Sequence, residues 1–582
     1  MNRLRKELNS LKDAWDASRW AGNHGNPSRF IIIAGTFCLF AYILFAILPL
    51  FIPGADFSHF PPYLALPEGG FNLSNYYFLY FLISFNALML FGLYFISLKS
   101  VSGYRADPAD QAPPRRFRPW RRNRETNYVF SFAALFHLVM LLTPFLLSTD
   151  LFDYIRHGRI FAIYGENPLV VPATYFPHDP FFNLGGWLST GAVYGPLHVY
   201  ATGLLAWLAG NGIGANFLVF KAFFLGLNLL NVVLIGSITA RLHPGLEKKA
   251  MLFYGWNPFI LALVVANAHN DILMLTFVLL GIACFLKRRF VAGALLITLA
   301  TLVKFMALPI LLVYFALALR KLKSFRARLL SGAGMLAVSV GAVVISYWRL
   351  WEGMDTFRYL TDVGQKTNFT IPGLMRDIAA GHLQLSLSNT VVQLTVAILL
   401  LGYILWHTFG VKNTASLLSA AAGIAFLTPL ALFWFQPWYL TMAMGLIALR
   451  PWRLIYKVSL VFSFTVMFFD SFWWHTPMSM DVEKSLRVLV VFGPPIALLL
   501  WTKGREVLPA AWQRIWSWSI EGNARRDGTL AATDPALGKI VAQVAGLFAA
   551  ALVPMALIVS VSPHLRELTN LVFMKFQLLT HL

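Results

Sequence analysis

The run STDLFDYIRHGR at residues 148–159 places two carboxylates, Asp150 and Asp153, where a long apolar segment ends. A carboxylate costs roughly 2.5 to 3.5 kcal/mol at the centre of a membrane-spanning helix, so one retained beside such a helix usually has a partner or a chemical role. If the helix continues, their spacing puts both on one face, where a shared site separates their pKa values. One is therefore a candidate general base; alternatively, one caps a helix and the other pairs with Arg156 or Arg159.

The composition is that of a polytopic membrane protein. Hydrophobic residues make up 58% of the 582 positions and charged residues only 13%, whereas soluble domains carry about 25% charged residues. Apolar runs that can cross about 30 Å of hydrocarbon recur along the chain, beginning at residues 30–51. We predict an all-α bundle of about 13–15 transmembrane helices. The first run follows almost thirty residues that include several charges and lacks a small-residue cleavage site, which favours a retained anchor over a signal peptide.

The basic residues behind the net charge of +21 are concentrated in particular loops, a pattern typical of membrane topology and not of nucleic-acid binding. Residues 103–126 contain seven arginines, whereas residues 52–74 contain neither Lys nor Arg. By the positive-inside rule the amino terminus and the Arg-rich loop are cytoplasmic. The span at residues 129–148 then runs outward and delivers Asp150 and Asp153 to the external face.

The same counting predicts one large external loop at residues 149–215, because its apolar stretch 197–209 is too short to cross comfortably. Later basic clusters are predicted to be cytoplasmic: Arg241 with Lys248 and Lys249, residues 287–289, residues 320–328, and Arg450 with Arg453. Polar or aromatic segments that follow on the external face are NAHND (267–271), Lys304, residues 348–388 and WFQPWY (434–439).

These boundaries divide the chain into five predicted regions. They are an amphipathic amino terminus with two extra spans (1–128), a catalytic membrane module (129–347), a carboxyl-terminal membrane region with external loops 348–388 and 471–485 (348–502), a cytoplasmic interfacial helix with a linker (503–538), and a final span with a tail (539–582). Cys38 and Cys284 lie far apart inside apolar runs, so neither a disulfide framework nor a thiolate metal site is indicated.

A transferase at the external face would need a lipid-linked donor, because nucleotide sugars are absent there. Its general base would be Asp150 or Asp153, and cationic or hydrogen-bonding groups would stabilise the leaving phosphate. The candidates for that second role are Lys304, Arg156, Arg159 and His269. Lys304 interrupts an apolar run, where it either meets an anion or extends to the interface.

Further polar and aromatic side chains are candidates for the sugar or acceptor pocket: Tyr154, Tyr194, Asn267, Asn270, Asp271, Trp434, Gln436 and Trp438. Each has a structural alternative. Asn or Asp can cap the next helix, Gly and Pro in GENP and VYGP shape turns, and Trp and Tyr crowd membrane interfaces. A lone His beside an Asp is weak evidence for a metal, so no cofactor is predicted and a divalent cation is left open.

The order STDLFDY, GENP, VYGP, WNPF, NAHND and a lysine after LITLATLVKF resembles C-type membrane glycosyltransferases. More narrowly, it is similar to bacterial polyprenol-phosphate-mannose-dependent mannosyltransferases. The resemblance implies inverting transfer, a first-loop Asp base, a core of seven spans and no nucleotide cofactor. It also implies that His269, Asn270 and Asp271 organise the pocket and that Lys304 contacts the donor phosphate. The two spans before residue 129 depart from the minimal pattern.

The sequence therefore predicts a glycosyltransferase that moves a sugar, mannose in the first instance, from a polyprenyl-phosphate donor to a glycan, glycolipid or lipid acceptor. Its predicted location is the inner membrane, with the amino terminus in the cytoplasm and the active site outside. The predicted partners are the donor, the acceptor and membrane lipids. The main alternative is a transporter or lipid flippase, although the two halves show no inverted repeat; a ligase using the same carriers and an inactive scaffold are further alternatives.

Overall fold

The computed structural model describes residues 27–48, 73–102, 124–143, 148–366, 370–382, 389–451, 454–468 and 480–507. Within these ranges the chain forms eighteen α-helices and no β-strand. The helices are α1 Pro27–Ile47, α2 Leu73–Ser102, α3 Arg124–Leu142, α4 Asp150–Ala162, α5 Pro196–Ala209, α6 Ile213–Leu242, α7 Glu247–Gly255, α8 Asp271–Leu286, α9 Phe290–Val303, α10 Leu308–Arg320, α11 Phe325–Tyr347, α12 Arg358–Gln365, α13 Ile371–His382, α14 Asn389–Gly410, α15 Thr414–Ala431, α16 Thr441–Ala448, α17 Leu454–Thr465 and α18 Met480–Val507.

Among the described residues, seven helices are long and apolar enough to cross a membrane: α1, α3, α6, α11, α14, α15 and α18. Shorter apolar helices accompany them, in α2, α8, α9, α10, α16 and α17. The predicted class, an all-α polytopic membrane protein, is confirmed. The predicted amino-terminal amphipathic helix, most of the loop 471–485, the linker that ends at 538 and the final span lie outside the described residues.

The chain divides into two compact units, residues 1–367 with 386–451 and residues 368–385 with 452–582. In the second unit, α17 and α13 pack on α18. In the first, α1 packs on α3, α4 on α5, α8 on both α6 and α9, and α9 on α11. All the predicted site residues belong to the first unit.

Alternating helix directions gather the polar segments at one end of the first unit. Asp150 follows the end of α3, Asp271 begins α8, and Lys304 follows the end of α9. The opposite end holds the predicted basic clusters, where carbonyl or carboxylate groups bind Arg241, Lys248, Arg320 and Arg450. The two sets of residues thus lie at opposite ends of the same helices. Which end faces the cytoplasm stays a prediction.

The WNPF segment breaks a helix. Regular α-helix stops at Gly255, and a π-helix at Phe259–Val265 follows Trp256, Asn257 and Pro258. Side chains hold this break in place. The Tyr42 hydroxyl donates to the Trp256 carbonyl at 2.9 Å, and the indole Nε1 of Trp256 donates to the Val129 carbonyl at 2.8 Å. Interrupted helices are tolerated at membrane depth when protein groups bind the freed backbone atoms.

The two carboxylates of the STDLFDY run lie on one helix, as their spacing predicts, but α3 does not continue into it. Regular helix ends at Leu142 and α4 begins anew at Asp150. The apolar stretch 197–209, which is too short to cross a membrane comfortably, forms the 14-residue helix α5 and packs directly on α4. The two helices approach so closely at Gly158 that a Cβ there would collide with the carbonyl of Thr202 in α5.

We expect Gly158→Ala to lower stability by roughly 1–3 kcal/mol, because the obstructing atoms belong to the backbone of α5 and cannot rotate away. Thermal unfolding of the detergent-solubilised protein measures the effect. Gly92→Ala in α2 is the matched control, since nothing lies within 4 Å of its added Cβ. Equal melting temperatures for the two variants would contradict the close packing of α4 on α5.

Candidate active site

A cavity with about 520 Å³ of empty volume opens where α4 begins. Its wall combines two carboxylates with aromatic and small polar residues, and it includes neither Lys nor Arg. The lining residues are Asp150, Asp153, His157, Trp187, Thr190, Gly191, Val193, Tyr194, Val363, Trp434, Gln436, Trp438 and Tyr439. Six of these were predicted site residues, and Asp150 and Asp153 are among them.

Asp150 stands at the first position of α4 with its carboxylate towards the cavity. Its backbone N–H donates to the Ser148 hydroxyl at 3.3 Å, and its side chain is 15% exposed. His269 Nδ1 lies 3.7 Å from Asp150 Oδ2, and the Tyr154 hydroxyl lies 3.4 Å from the same nitrogen. No Lys or Arg of the described chain forms an ion pair with Asp150.

The surroundings of Asp150 favour its protonated form more than water does. Burial raises its pKa from an ordinary value of 3.8 to about 7, and the negative charge of Asp153 acts in the same direction. Lys304 and the Ser148 hydroxyl oppose the shift. A carboxylate with a pKa near neutrality is matched to proton transfer at physiological pH.

Asp153 also lines the cavity, but unlike Asp150 it has a cationic partner. Its Oδ1 forms an ion pair with Arg156, one turn further along α4, and accepts from the Trp187 backbone N–H at 3.3 Å. Arg156 also donates to the Phe182 carbonyl at 3.0 Å. A Cβ at Gly185 would collide with this pair, so glycine allows the loop to cover it. Burial raises the pKa of Asp153, and Arg156 opposes that shift.

Arg159 does not line the cavity; it binds residues of the segments that flank α5. Its Nε donates to Asp179 Oδ2 at 2.8 Å, and its terminal nitrogens donate to the Gly210 carbonyl and to Asn211 Oδ1 at 3.0 and 3.1 Å. The guanidinium also lies over the Phe181 ring. The charge of Arg159 is therefore neutralised away from the predicted phosphate site.

Lys304 and Asp271 form a buried ion pair behind the cavity wall. Lys304 Nζ donates to both carboxylate oxygens, at 3.0 and 2.9 Å, and the side chain of Asp271 is fully buried. The ammonium group lies 4.1 Å from the centre of the Tyr439 ring and 5.8 Å from that of Tyr194. Both tyrosines line the cavity, so the pair lies directly beneath two of its aromatic residues.

The NAHND turn brings its polar side chains into the fold in different ways. Ala268 adopts a positive φ of 54°, which reverses the chain tightly. Asn267 accepts from the Ser148 backbone N–H at 3.0 Å and donates to the Ala262 carbonyl at 2.9 Å, so it fixes the start of α4. His269 stacks on Trp438 with ring centres 3.9 Å apart.

Asn270 is buried beside His198, which was not among the predicted site residues. Its Nδ2 lies 3.2 Å from His198 Nδ1, and the His198 ring packs against Tyr154 and Tyr194. His157 adds a third imidazole near this group, and burial lowers its pKa to about 3. Burial lowers the pKa of His198 as well, so both imidazoles are neutral.

Most of the predicted aromatic pocket residues lie at the cavity. Its wall includes Tyr194, Trp434, Gln436 and Trp438, whereas Tyr154 does not line the cavity but packs edge-to-face on Tyr194. The structure adds Trp187, whose ring lies 5.7 Å from that of Trp434 in an edge-to-face arrangement. Trp187 stands in an irregular loop without periodic spacing, so its sequence offered no signal beyond a tryptophan in a predicted external segment.

Comparison with known proteins finds a family to which part of the chain is similar. Residues 81–321 match the family model described as alpha-(1->6)-mannopyranosyltransferase, N-terminal domain. The chain resembles alpha-(1->6)-mannopyranosyltransferases. The resemblance predicted from the motifs is confirmed at this level. The matched region contains the carboxylates of α4, the NAHND turn and Lys304, but not the aromatic segment 434–439.

Individual relatives are distant and cover part of the chain. An alpha-(1->6)-mannopyranosyltransferase A of Corynebacterium glutamicum is 27% identical over 27% of this chain and 32% of its own length, and one of Mycobacterium tuberculosis is 28% identical over 32% and 38%. A probable alpha-(1->6)-mannopyranosyltransferase of Mycolicibacterium smegmatis is 26% identical over 55% and 64%. The chain thus spans between one third and just under two thirds of the length of these relatives.

The Lys304–Asp271 pair yields a stability prediction. Lys304→Met alone should cost roughly 3–5 kcal/mol, because it leaves a buried carboxylate without its cation. Lys304→Met combined with Asp271→Asn should recover most of that loss in thermal unfolding.

The control is Lys321→Met, which removes an exposed ammonium group at the opposite end of the helices and should leave the melting temperature unchanged. If the double variant melted no higher than Lys304→Met alone, the cost would not come from an unpaired Asp271.

Proposed function

We propose that the protein is a mannosyltransferase that takes mannose from a polyprenyl-phosphate donor and transfers it, with inversion, to a glycan, glycolipid or lipid acceptor. The observation that carries the proposal is Asp150: a carboxylate without a Lys or Arg partner among the described residues, facing an aromatic cavity at the ends of membrane-length helices. The similarity to mannosyltransferases supports the choice of sugar.

In the proposed reaction, an acceptor hydroxyl lies against Asp150 and gives its proton to the carboxylate as its oxygen attacks the anomeric carbon. The bond between that carbon and the phosphate oxygen breaks, and the electron pair leaves with the polyprenyl phosphate. Attack opposite to the leaving group inverts the anomeric configuration. The leaving phosphate is already a weak base, so the reaction needs one proton acceptor and no strong general acid.

Asp150 is assigned as the base in preference to Asp153. A general base must take up a proton, and the ion pair with Arg156 opposes protonation of Asp153, whereas Asp150 has no Lys or Arg partner among the described residues. We propose that Asp153 positions the loop that carries Trp187. The Trp187, Trp434 and Trp438 rings would then offer apolar faces to the sugar.

The proposed orientation follows from the same arrangement. The basic clusters lie at the end opposite to Asp150, and the positive-inside rule assigns that end to the cytoplasm. The active site would therefore open on the extracytoplasmic side of the inner membrane, where a lipid-linked donor is the available form of activated sugar.

Asp150→Asn should reduce transfer of radiolabelled mannose from polyprenyl-phosphate mannose by roughly 100- to 10,000-fold, the usual contribution of a general base. The amide cannot accept the proton, but it preserves the volume of the side chain. Asp355→Asn, on an exposed turn outside the cavity, is the matched control and should retain wild-type transfer. Wild-type turnover by a folded Asp150→Asn protein would refute the assignment of the base.

The pKa of Asp150 makes transfer dependent on pH. The base must be ionised, so kcat/KM should rise with pH and level off above about 7. At pH 6 about one tenth of the groups would be ionised, giving roughly tenfold slower transfer than at the plateau.

The rate is measured between pH 5.5 and 8.5, with size-exclusion chromatography at each pH to confirm that the protein stays folded. A flat profile across this interval, in protein that stays folded, would show that no group of pKa near 7 acts as the base.

A further inference from the structure

We propose that Lys366 is the cation that binds the donor's lipid-borne phosphate at the rim of the cavity, with Trp187 beneath it. This inference deepens the proposed function and rests on it for the identity of the donor. It assigns the phosphate to a residue outside the four phosphate ligands that the sequence predicted.

The cations predicted for this role are already neutralised. Arg156 is paired with Asp153, Arg159 with Asp179, and Lys304 with both oxygens of Asp271. None of the three lines the cavity. Moving one of them to a phosphate would leave its carboxylate buried and unpaired, which is costly in a site of low polarity.

Lys366 differs from these residues in position and in pairing. Its Nζ lies 4.6 Å from the centre of the Trp187 ring, which lines the cavity. The side chain is exposed, and it makes no ion pair within the described chain. Asp362, one helical turn earlier on α12, is the nearest acidic residue in sequence and is exposed as well. The ammonium group therefore retains donors for an anion that reaches this rim.

The helix that ends beside Lys366 is part of the cavity wall. Val363 of α12 lines the cavity, and Tyr359 packs on Gly191 so closely that a Cβ there would collide with its ring. The Gly364 carbonyl accepts from Gln393 of α14 at 3.1 Å, which ties the end of α12 to a membrane-length helix. The wall thus holds Lys366 at a defined place beside Trp187.

The segment before α12 favours a phosphate that arrives on a lipid over one from bulk solution. Trp348, Trp351 and Met354 expose 81%, 54% and 79% of their surfaces between the end of α11 and the start of α12. Exposed tryptophans at the end of a spanning helix are typical of the headgroup region of a bilayer. A lipid phosphate enters at that depth, whereas its polyprenyl chain stays in the hydrocarbon.

The test uses the full-length protein in a nonionic detergent, with dodecyl phosphate as the probe. Binding is measured by thermophoresis for the wild type, Lys366→Ala, Lys366→Arg and the matched control Lys321→Ala at the opposite end of the helices. We expect Lys366→Ala to weaken binding about tenfold, the loss of one ionic contact, while Lys366→Arg and Lys321→Ala stay within about twofold of the wild type.

Inorganic phosphate at equal concentration should compete poorly with dodecyl phosphate. Unchanged binding of dodecyl phosphate to folded Lys366→Ala would overturn the assignment of Lys366. Equal competition by inorganic phosphate would overturn the lipid-borne source.

A kinetic arm separates this inference from the proposed function. With polyprenyl-phosphate mannose, Lys366→Ala should raise the donor KM about tenfold and leave kcat within about twofold, because the cation contributes to donor binding. Asp150→Asn should still bind dodecyl phosphate although it does not transfer. If the wild type transferred no mannose while dodecyl phosphate binding depended on Lys366, the proposed function would fail and the phosphate site would stand. A fall in kcat with unchanged KM would instead contradict a binding role for Lys366.

Discussion

The neutralisation of buried carboxylates governs the polar end of this protein. Asp153, Asp179 and Asp271 each form an ion pair with a nearby cation. A buried carboxylate without its cation would destabilise the fold by several kcal/mol, so these pairs also fix the backbone that carries them. Asp150 is different because no Lys or Arg of the described residues pairs with it, and the imidazole of His269 lies 3.7 Å from its carboxylate. The pairing of its neighbours sets Asp150 apart as the candidate base.

The fold supplies this arrangement through helix ends. Two of the three pairs join separate segments: Arg159 of α4 meets Asp179 in the following loop, and Lys304 and Asp271 link the end of α9 to the start of α8. Close helix contacts at glycine keep those ends in register, since Gly158 meets α5 and Gly195 meets the Leu302 carbonyl of α9. The chemistry therefore depends on packing between helices as well as on the residues that face the cavity.

The sequence contained enough information to predict the class of the fold and to bring most of the candidate site residues to one end of the helices. Apolar length gives the helices, charge distribution separates their ends, and Asp150 and Asp153 are conspicuous beside a span. It could not assign roles to the cations, because Asp179 and Trp187 lie in a loop whose path follows no period. Nor could it distinguish Lys304 as a phosphate ligand from Lys304 as the partner of Asp271, since either anion satisfies the same ammonium group.

An exposed phosphate ligand has a consequence for turnover. In the proposed reaction, the polyprenyl phosphate that leaves would carry more negative charge than the donor, so a buried, desolvated cation would hold the product more tightly than the substrate. A lysine at a wet rim contributes a weaker contact, because solvent screens it. Placing Lys366 outside and neutralising Arg156 and Lys304 inside would let the donor bind and the carrier lipid leave. The ion pairs that stabilise the fold would in this way also prevent product from accumulating in the site.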